Sequence, residues 1–321
     1  MGFSTATNTH LIRSNLWSAQ LKDILEDELM ANQYVDYISD FPDGDTLNIP
    51  SIAQAETNDY VENTAIRYTA MDTGNFTFTI DQYKSSATYI TEKMRQDSYY
   101  AARLEAMFVP KQARALAVAL ETNVLSVGPA GQTSGDNQNL INGAPHRFVA
   151  NGASETLVPQ DFALAKYSLL KANVPMTNLV AIVDPSVGYA LETMTNLVNM
   201  SNNPRWEGIV ATGITTGMRF IKNVYGFDVY TSNYLKTVTD SALNTAADVA
   251  VDFSTVNGKL NLFFSAAPTV TPFVGAWRQP PQVDYEYNKD KQRHEYVTTC
   301  RYGMKLYRPE NMVRVVTKTN V

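Results

Sequence analysis

Residues 97–127 read DSYYAARLEAMFVPKQARALAVALETNVLSV, and Gly128-Pro129 follows. Alanine stands at 101, 102, 106, 113, 115, 117 and 119, and alanine joins a helix without losing side-chain entropy. The stretch predicts one long helix stopped by the Gly-Pro pair. At ~1.5 Å rise per residue it would span about 45 Å. Pro110 lacks an amide hydrogen and crowds the preceding turn, so it is expected to kink the helix or to open a second segment.

Upstream of this helix, FTFTIDQY alternates Phe76, Phe78 and Ile80 with Thr77, Thr79 and Asp81, the period of a strand with one apolar face. The stretch DFPDGDTLNIP carries turn chemistry at Pro42 and Asp43-Gly44 before a short strand from Thr46 to Ile49. Acidic, irregular sequence lies between the two. Residues 46–83 therefore read as a two-stranded arm with a wide tip. An isolated two-stranded ribbon is marginal in water, so another surface must cover it. Nearer the start, a polar tail leads into Leu11, Leu16, Trp17, Leu21, Ile24, Leu25 and Leu29, one stripe of an amphipathic helix. A short helix needs tertiary burial, so Trp17 and Leu21 are expected to pack against another subunit or a scaffold, with an intramolecular core helix as the alternative.

Downstream, residues 128–158 are rich in Gly, Asn and Ser and read as loops around a hairpin. A compact α/β segment follows: a helix capped by Gln160 or Asp161 and running to Asn173, the buried-type strand LVAIVD at 179–184, and a helix capped by Asp184 and opened by Pro185. MRFIKNVYGFDVYTS predicts strands around a turn at Gly226, residues 234–258 an exposed insertion, and LNLFFS another buried strand. After Trp277 the pattern is β: VDYEY, the polar turn NKDKQR, HEYVTTCRYGMKLY and MVRVVTK.

The chain has 321 residues, 44% hydrophobic and 18% charged, a globular composition with room for two domains. No apolar run approaches the ~18 residues that span a bilayer, and MGFSTATNTHLIRSNLW lacks the plan of a signal peptide, so no membrane is expected. The single cysteine, Cys300, cannot form an intrachain disulfide. A net charge of -6 opposes the phosphate neutralisation behind broad nucleic-acid binding.

Chemistry is sparse. His10, His146 and His294 lie in the tail, a loop and a polar turn without another His or Cys at ligand spacing, and are expected at the surface. GPAGQTSGDNQN lacks the GK[ST] of a phosphate loop, Gly217 to Gly226 departs from a dinucleotide fingerprint, and no GxSxG elbow occurs. Asp40, Asp43 and Asp45 fail the calcium-loop pattern. Cys300 sits mid-strand and reads as a small buried hydrophobe. No catalytic set, cofactor or metal is expected.

The order of parts carries a resemblance: polar tail and helix, GDTLNIPSI, a long arm, an Ala-rich helix ended at Gly-Pro, an α/β segment with VYGFDVYTSNYL, and a β-rich end closing in RYGMKLYRPENMVRV. The chain resembles a tailed-bacteriophage major capsid protein of the Hong Kong 97 type. The resemblance implies an α+β fold divided into an N-arm (1–38), an extended E-loop hairpin (39–84), a peripheral domain with the spine helix (85–157), an axial α/β domain (158–272) and a return to peripheral strands (273–321). It further implies hexamers and pentamers closing into an icosahedral shell, built in the host cytoplasm as a procapsid with scaffolding protein and portal. Such a shell expands as double-stranded DNA enters, encloses that DNA without reading its sequence, and can carry a decoration protein. Some members crosslink through an E-loop lysine, but residues 41–83 hold no Lys, only Arg67.

Charge adds a pairing hypothesis. Residues 41–83 carry seven acids, Asp59 and Glu62 among them, against Arg67 alone, for -6; residues 278–318, with Arg301 and Arg308, carry +4. The acidic arm is expected to lie over the basic end of a neighbouring subunit, its charges setting register more than affinity. The alternative is a solvated face that keeps the arm from pairing edge to edge. Three other readings stay open: a nanocompartment shell of the same fold, a soluble enzyme using the α/β segment, and a tail or decoration protein.

Overall fold

The computed structural model describes residues 29–39, 46–52, 57–66, 68, 73–97, 101–127, 140–152, 155–193, 220–238, 258–268 and 270–318. In chain order the elements are β1 (Val35–Tyr37), β2 (Thr46–Ile52), β3 (Thr73–Thr79), β4 (Gln82–Thr91), α1 (Glu92–Asp97) and α2 (Ala101–Ser126). Short strands β5 (Leu140–Ile141), β6 (Ala144–Pro145) and β7 (Arg147–Val149) lead to α3 (Pro159–Lys171), β8 (Leu179–Val183) and α4 (Pro185–Thr193). The chain continues through β9 (Phe220–Val224), β10 (Phe227–Thr231), β11 (Thr237–Val238), β12 (Gly258–Ser265), β13 (Phe273–Asn288), β14 (Arg293–Leu306) and β15 (Val313–Lys318).

One sheet has the order β7-β15-β12-β8-β10-β9, with β11 also paired to β12. Apolar residues fill both of its faces. On one, Leu260, Leu262 and Phe264 of β12 join Leu116, Leu120 and Val124 of α2. On the other, Phe263 joins Phe162 and Leu169 of α3 and Val187 and Leu191 of α4. Phe263 meets Phe162 edge-on at 5.2 Å and Phe227 at 5.4 Å, the arrangement that aromatic quadrupoles favour. Full burial of each such side chain contributes ~1.5–3 kcal/mol.

The second sheet has the order β1-β13-β14-β4. The β13–β14 hairpin and β4 form a long blade, and α2 covers one of its faces. There Gln112 bridges β14: its Nε2 donates to the Tyr296 carbonyl at 2.9 Å, and its Oε1 accepts from Thr298 Oγ1 at 2.8 Å. The helix is thus shared between the sheets, with Leu116, Leu120 and Val124 in the apolar cluster and Gln112 bonded to β14. The arm is β2 paired with β3, from Thr46 against Thr79 to Ile52 against Thr73.

Local chemistry explains the ends of elements. Pro159 opens α3, and the Asp161 carboxylate reaches back to accept from the Val158 amide at 2.9 Å. The N-cap is therefore Val158, and not Gln160 or Asp161 as expected. Asp184 caps α4 as expected, its carboxylate accepting from the Ser186 amide at 3.1 Å. Tyr225 and Gly226, with φ of 52° and 93°, make the two-residue turn between β9 and β10 that the right-handed twist of a hairpin favours.

Several expectations change. The helix runs unbroken through Pro110, so Pro110 does not open a second segment. Residues 82–91 form a ten-residue strand of the blade, so Gln82 and Tyr83, expected in the arm, belong to the body, and 84–91 had no assignment from the sequence. Its alternate positions are small and polar, and Ile90 is its one buried apolar side chain. His146 and His294 are buried and hydrogen-bonded, contrary to the expectation of surface histidines. Within 273–318 the strands divide: β13 and β14 build the blade, whereas β15 pairs with β12 and β7 in the other sheet. The amphipathic stripe with Trp17 and Leu21, the Asp40–Asp45 cluster, Arg67 and most of 234–258 lie outside the described residues.

Candidate assembly surfaces

The arm is rooted on the blade face opposite α2. Phe78 and Ile80 are buried against Val274 and Ala276 of β13, with Ile38, Leu47 and Phe76 packed around them. Gly303 and Lys305 of β14, and Tyr307 just beyond its end, grip the arm from below. Gly303 lies under Thr79 and Ile80, where a Cβ would fall 2.7 Å from the Thr79 carbonyl oxygen. The Lys305 ammonium donates to the Thr77 carbonyl and sits 4.9 Å from the centre of the Phe76 ring. Tyr307 meets Phe76 edge-on at 5.0 Å. None of these residues was singled out in the sequence; the signal was the Phe76, Phe78, Ile80 alternation, whose covering surface is far away in the chain.

At the other end of the arm, Tyr60, Val61, Ile66 and Tyr68 are 73%, 61%, 64% and 92% exposed. Asp59 and Glu62, two of the expected interface residues, lie exposed among them. Large apolar side chains thus stand exposed beside the acids of the arm.

The basic set of 278–318 is not one face. Arg293 pairs with Glu295 across 2.5 Å, and Lys318 with Glu155 across 3.4 Å. Arg314 is buried beside Arg147 in the other sheet, and burial, with Arg147 adding to it, pulls its pKa down to about 10. Lys305 is used in the arm root. Arg301 lies on the outer blade face between Tyr83 of β4 and Gln279 of β13. Arg308 is exposed beside Tyr307, its guanidinium carbon 5.3 Å from the ring centre. Arg301 and Arg308 are the basic residues of this set named for pairing with the arm, and the +4 sum overstates the field of that surface.

Several polar groups inside the body have structural partners. Glu121 on α2 accepts from the amides of Met30 at 3.2 Å and Ala31 at 2.8 Å, and burial raises its pKa. His294 joins Glu92, Arg95 and Tyr285 at the distal end of the blade, and its hydrogen bond lowers the pKa of Glu92. Burial raises the pKa of the Cys300 thiol, which lies in the core. Among the described residues, no group of three His, Cys, Asp or Glu is placed to hold a metal ion. No helix there is long and apolar enough to cross a membrane.

A family model described as phage capsid protein matches residues 73–315, from β3 of the arm through both sheets into β15. The chain belongs to the phage capsid protein family. No curated protein matches it. Among solved structures it is similar to that of Mycobacterium phage Che8, at 18% identity over 96% of this chain and 97% of the other, with a TM-score of 0.66. The capsid of cyanophage Pam1 matches at 14% identity over 99% and 98%, with a TM-score of 0.71. The mature capsid of bacteriophage PhiM1 matches at 14% over 97% and 93%, with a TM-score of 0.65. The fold is the α+β Hong Kong 97 type that the order of parts implied. This phage capsid protein is a structural subunit of an icosahedral virion shell.

Proposed function

We propose that the capsid protein assembles into hexamers and pentamers in which the arm of each subunit lies over the blade of its neighbour. The carrying observation is the arm itself: a root packed on its own body and a tip that presents Tyr60, Val61, Ile66 and Tyr68 outward. Contacts of this kind are heterologous, with a different patch on each side, and such contacts close into rings. The N-arm, with Trp17 and Leu21, and Arg67 of the arm supply further contacts between subunits. Asp59 and Glu62 then set register against Arg301 and Arg308 of the neighbour; exposed pairs are each worth only ~0.2–1 kcal/mol, so repetition makes them count. The blade, α1 and α2 serve as the peripheral domain, and the sheet flanked by α3 and α4 as the axial domain. Assembly takes place in the host cytoplasm with scaffolding protein and portal. The shell encloses double-stranded DNA without specific binding and offers an outer surface to a decoration protein. The subunit works by packing and has no catalytic role.

The arm reading is tested by replacing residues 53–72 with Asn-Gly. Ile52 and Thr73 are ladder partners, so a two-residue turn can close the hairpin there while Phe78 and Ile80 stay in place. The shortened subunit is expected to keep the parental melting temperature and to form no regular shells in sedimentation and electron microscopy. Normal shells from it would refute the arm's role.

A further inference from the structure

We infer that Gly303 and Lys305 of β14 fix the direction in which the arm leaves the body. Between β3 and β4 there are two residues, Ile80 and Asp81. Across them the strand exchanges its partner, β2 for β14. The backbone dihedrals of two linking residues can still vary, so the direction of the arm also depends on whatever grips residues 76–80.

Apolar packing of Phe78 and Ile80 on Val274 and Ala276 holds the root down, but such packing is non-directional and allows sliding. Direction comes from two features of the blade face. The first is close backbone approach at Gly303: an added Cβ would lie 2.7 Å from Thr79 O and 3.1 Å from Ile80 Cα. Both are main-chain atoms, so only the absence of a side chain lets the strand cross there. The second is Lys305. Its ammonium donates to the main-chain carbonyl of Thr77 and stands over the Phe76 ring. A charge-assisted hydrogen bond is both stronger and more directional than apolar contact, and the ring adds attraction for the same cation. Thr77 in turn donates to Asn48 of β2 at 3.1 Å, so fixing Thr77 fixes both strands of the arm. Lys305 is therefore a positioning residue for assembly. Its consequence for shells rests on the arm reading above.

The test measures the angle in unassembled subunits, so it is independent of what the arm later covers. Spin labels go on Tyr60→Cys at the tip and Ser85→Cys on β4. Cys300 is 1% exposed and does not compete for label. The parent is expected to give a single narrow distance peak, Lys305→Met to lose it for a broad distribution at an unchanged melting temperature, and Lys305→Arg to restore it. Gly303→Ala is expected to shift the centre of the peak; should that variant fail to fold, the Lys305 pair decides. A Lys305→Met subunit that keeps the parental peak would overturn the inference, as would a lowered melting temperature with the peak still narrow, which marks a purely structural role.

Discussion

At the scale of single residues, burial decides behaviour that type and spacing leave open. Cys300 and Asp184 were legible because local pattern settles them: a cysteine inside an alternating strand, and an Asp-Pro ahead of an apolar helical face. His146 was not legible. Its Nδ1 lies 3.1 Å from the Ala144 carbonyl and its Nε2 3.2 Å from that of Glu310, and the second partner is 164 positions away. Burial outweighs both carbonyls and pushes the imidazole below its ordinary value. A histidine depressed in the folded state contributes stability that is fully present above its unfolded value of about 6.5 and is lost as pH falls through the folded value. The melting temperature of the subunit is therefore expected to fall on acidification below neutrality. In His146→Phe that dependence should flatten, whatever the variant does to the melting temperature at pH 8. A parental slope retained in the variant would remove His146 as its source.

At the scale of elements, strong periodicity was a reliable guide and weak periodicity was not. Strands β8, β10, β12 and β15, helix α3 and the turn at Gly226 fall where apolar period and turn residues put them, because those segments bury a whole face. β4 escaped notice because one face is open and the other meets α2 with Ser86 and Thr88, which show no apolar period. Pro110 shows tertiary context overriding a breaker: α2 is held along both sheets, so the lost hydrogen bond is absorbed within a continuous helix. Pro costs up to ~3 kcal/mol against Ala in a helix interior, and residue 110 is exposed, with little packing to lose. Pro110→Ala is accordingly expected to raise the melting temperature in a circular-dichroism scan. An unchanged or lower value would show that the proline is matched to the path of α2.

At the scale of the whole molecule, the order of parts disclosed the fold, while the candidate site was only half visible. The acidic arm stood out by composition, since residues 41–83 carry seven acids and one base. Its basic counterpart was overdrawn, because a sum along the chain cannot tell that Arg314 lies in the other sheet and that Lys318 answers Glu155. The arm root was invisible for the same reason, since β14 lies more than two hundred residues from β3 in the chain. Once folded, the subunit has a body with two well-filled apolar clusters and an arm whose far end is apolar, acidic and outward. On the proposed reading, such a shape is completed by a second copy of the chain. A cryo-electron microscopy map of shells formed by the purified protein tests this most directly. The account predicts closed shells in which Tyr60 and Tyr68 of one subunit rest on the blade of the next, with Asp59 and Glu62 facing its Arg301 and Arg308. Shells in which the arm tip lies on its own subunit or points into solvent would contradict it.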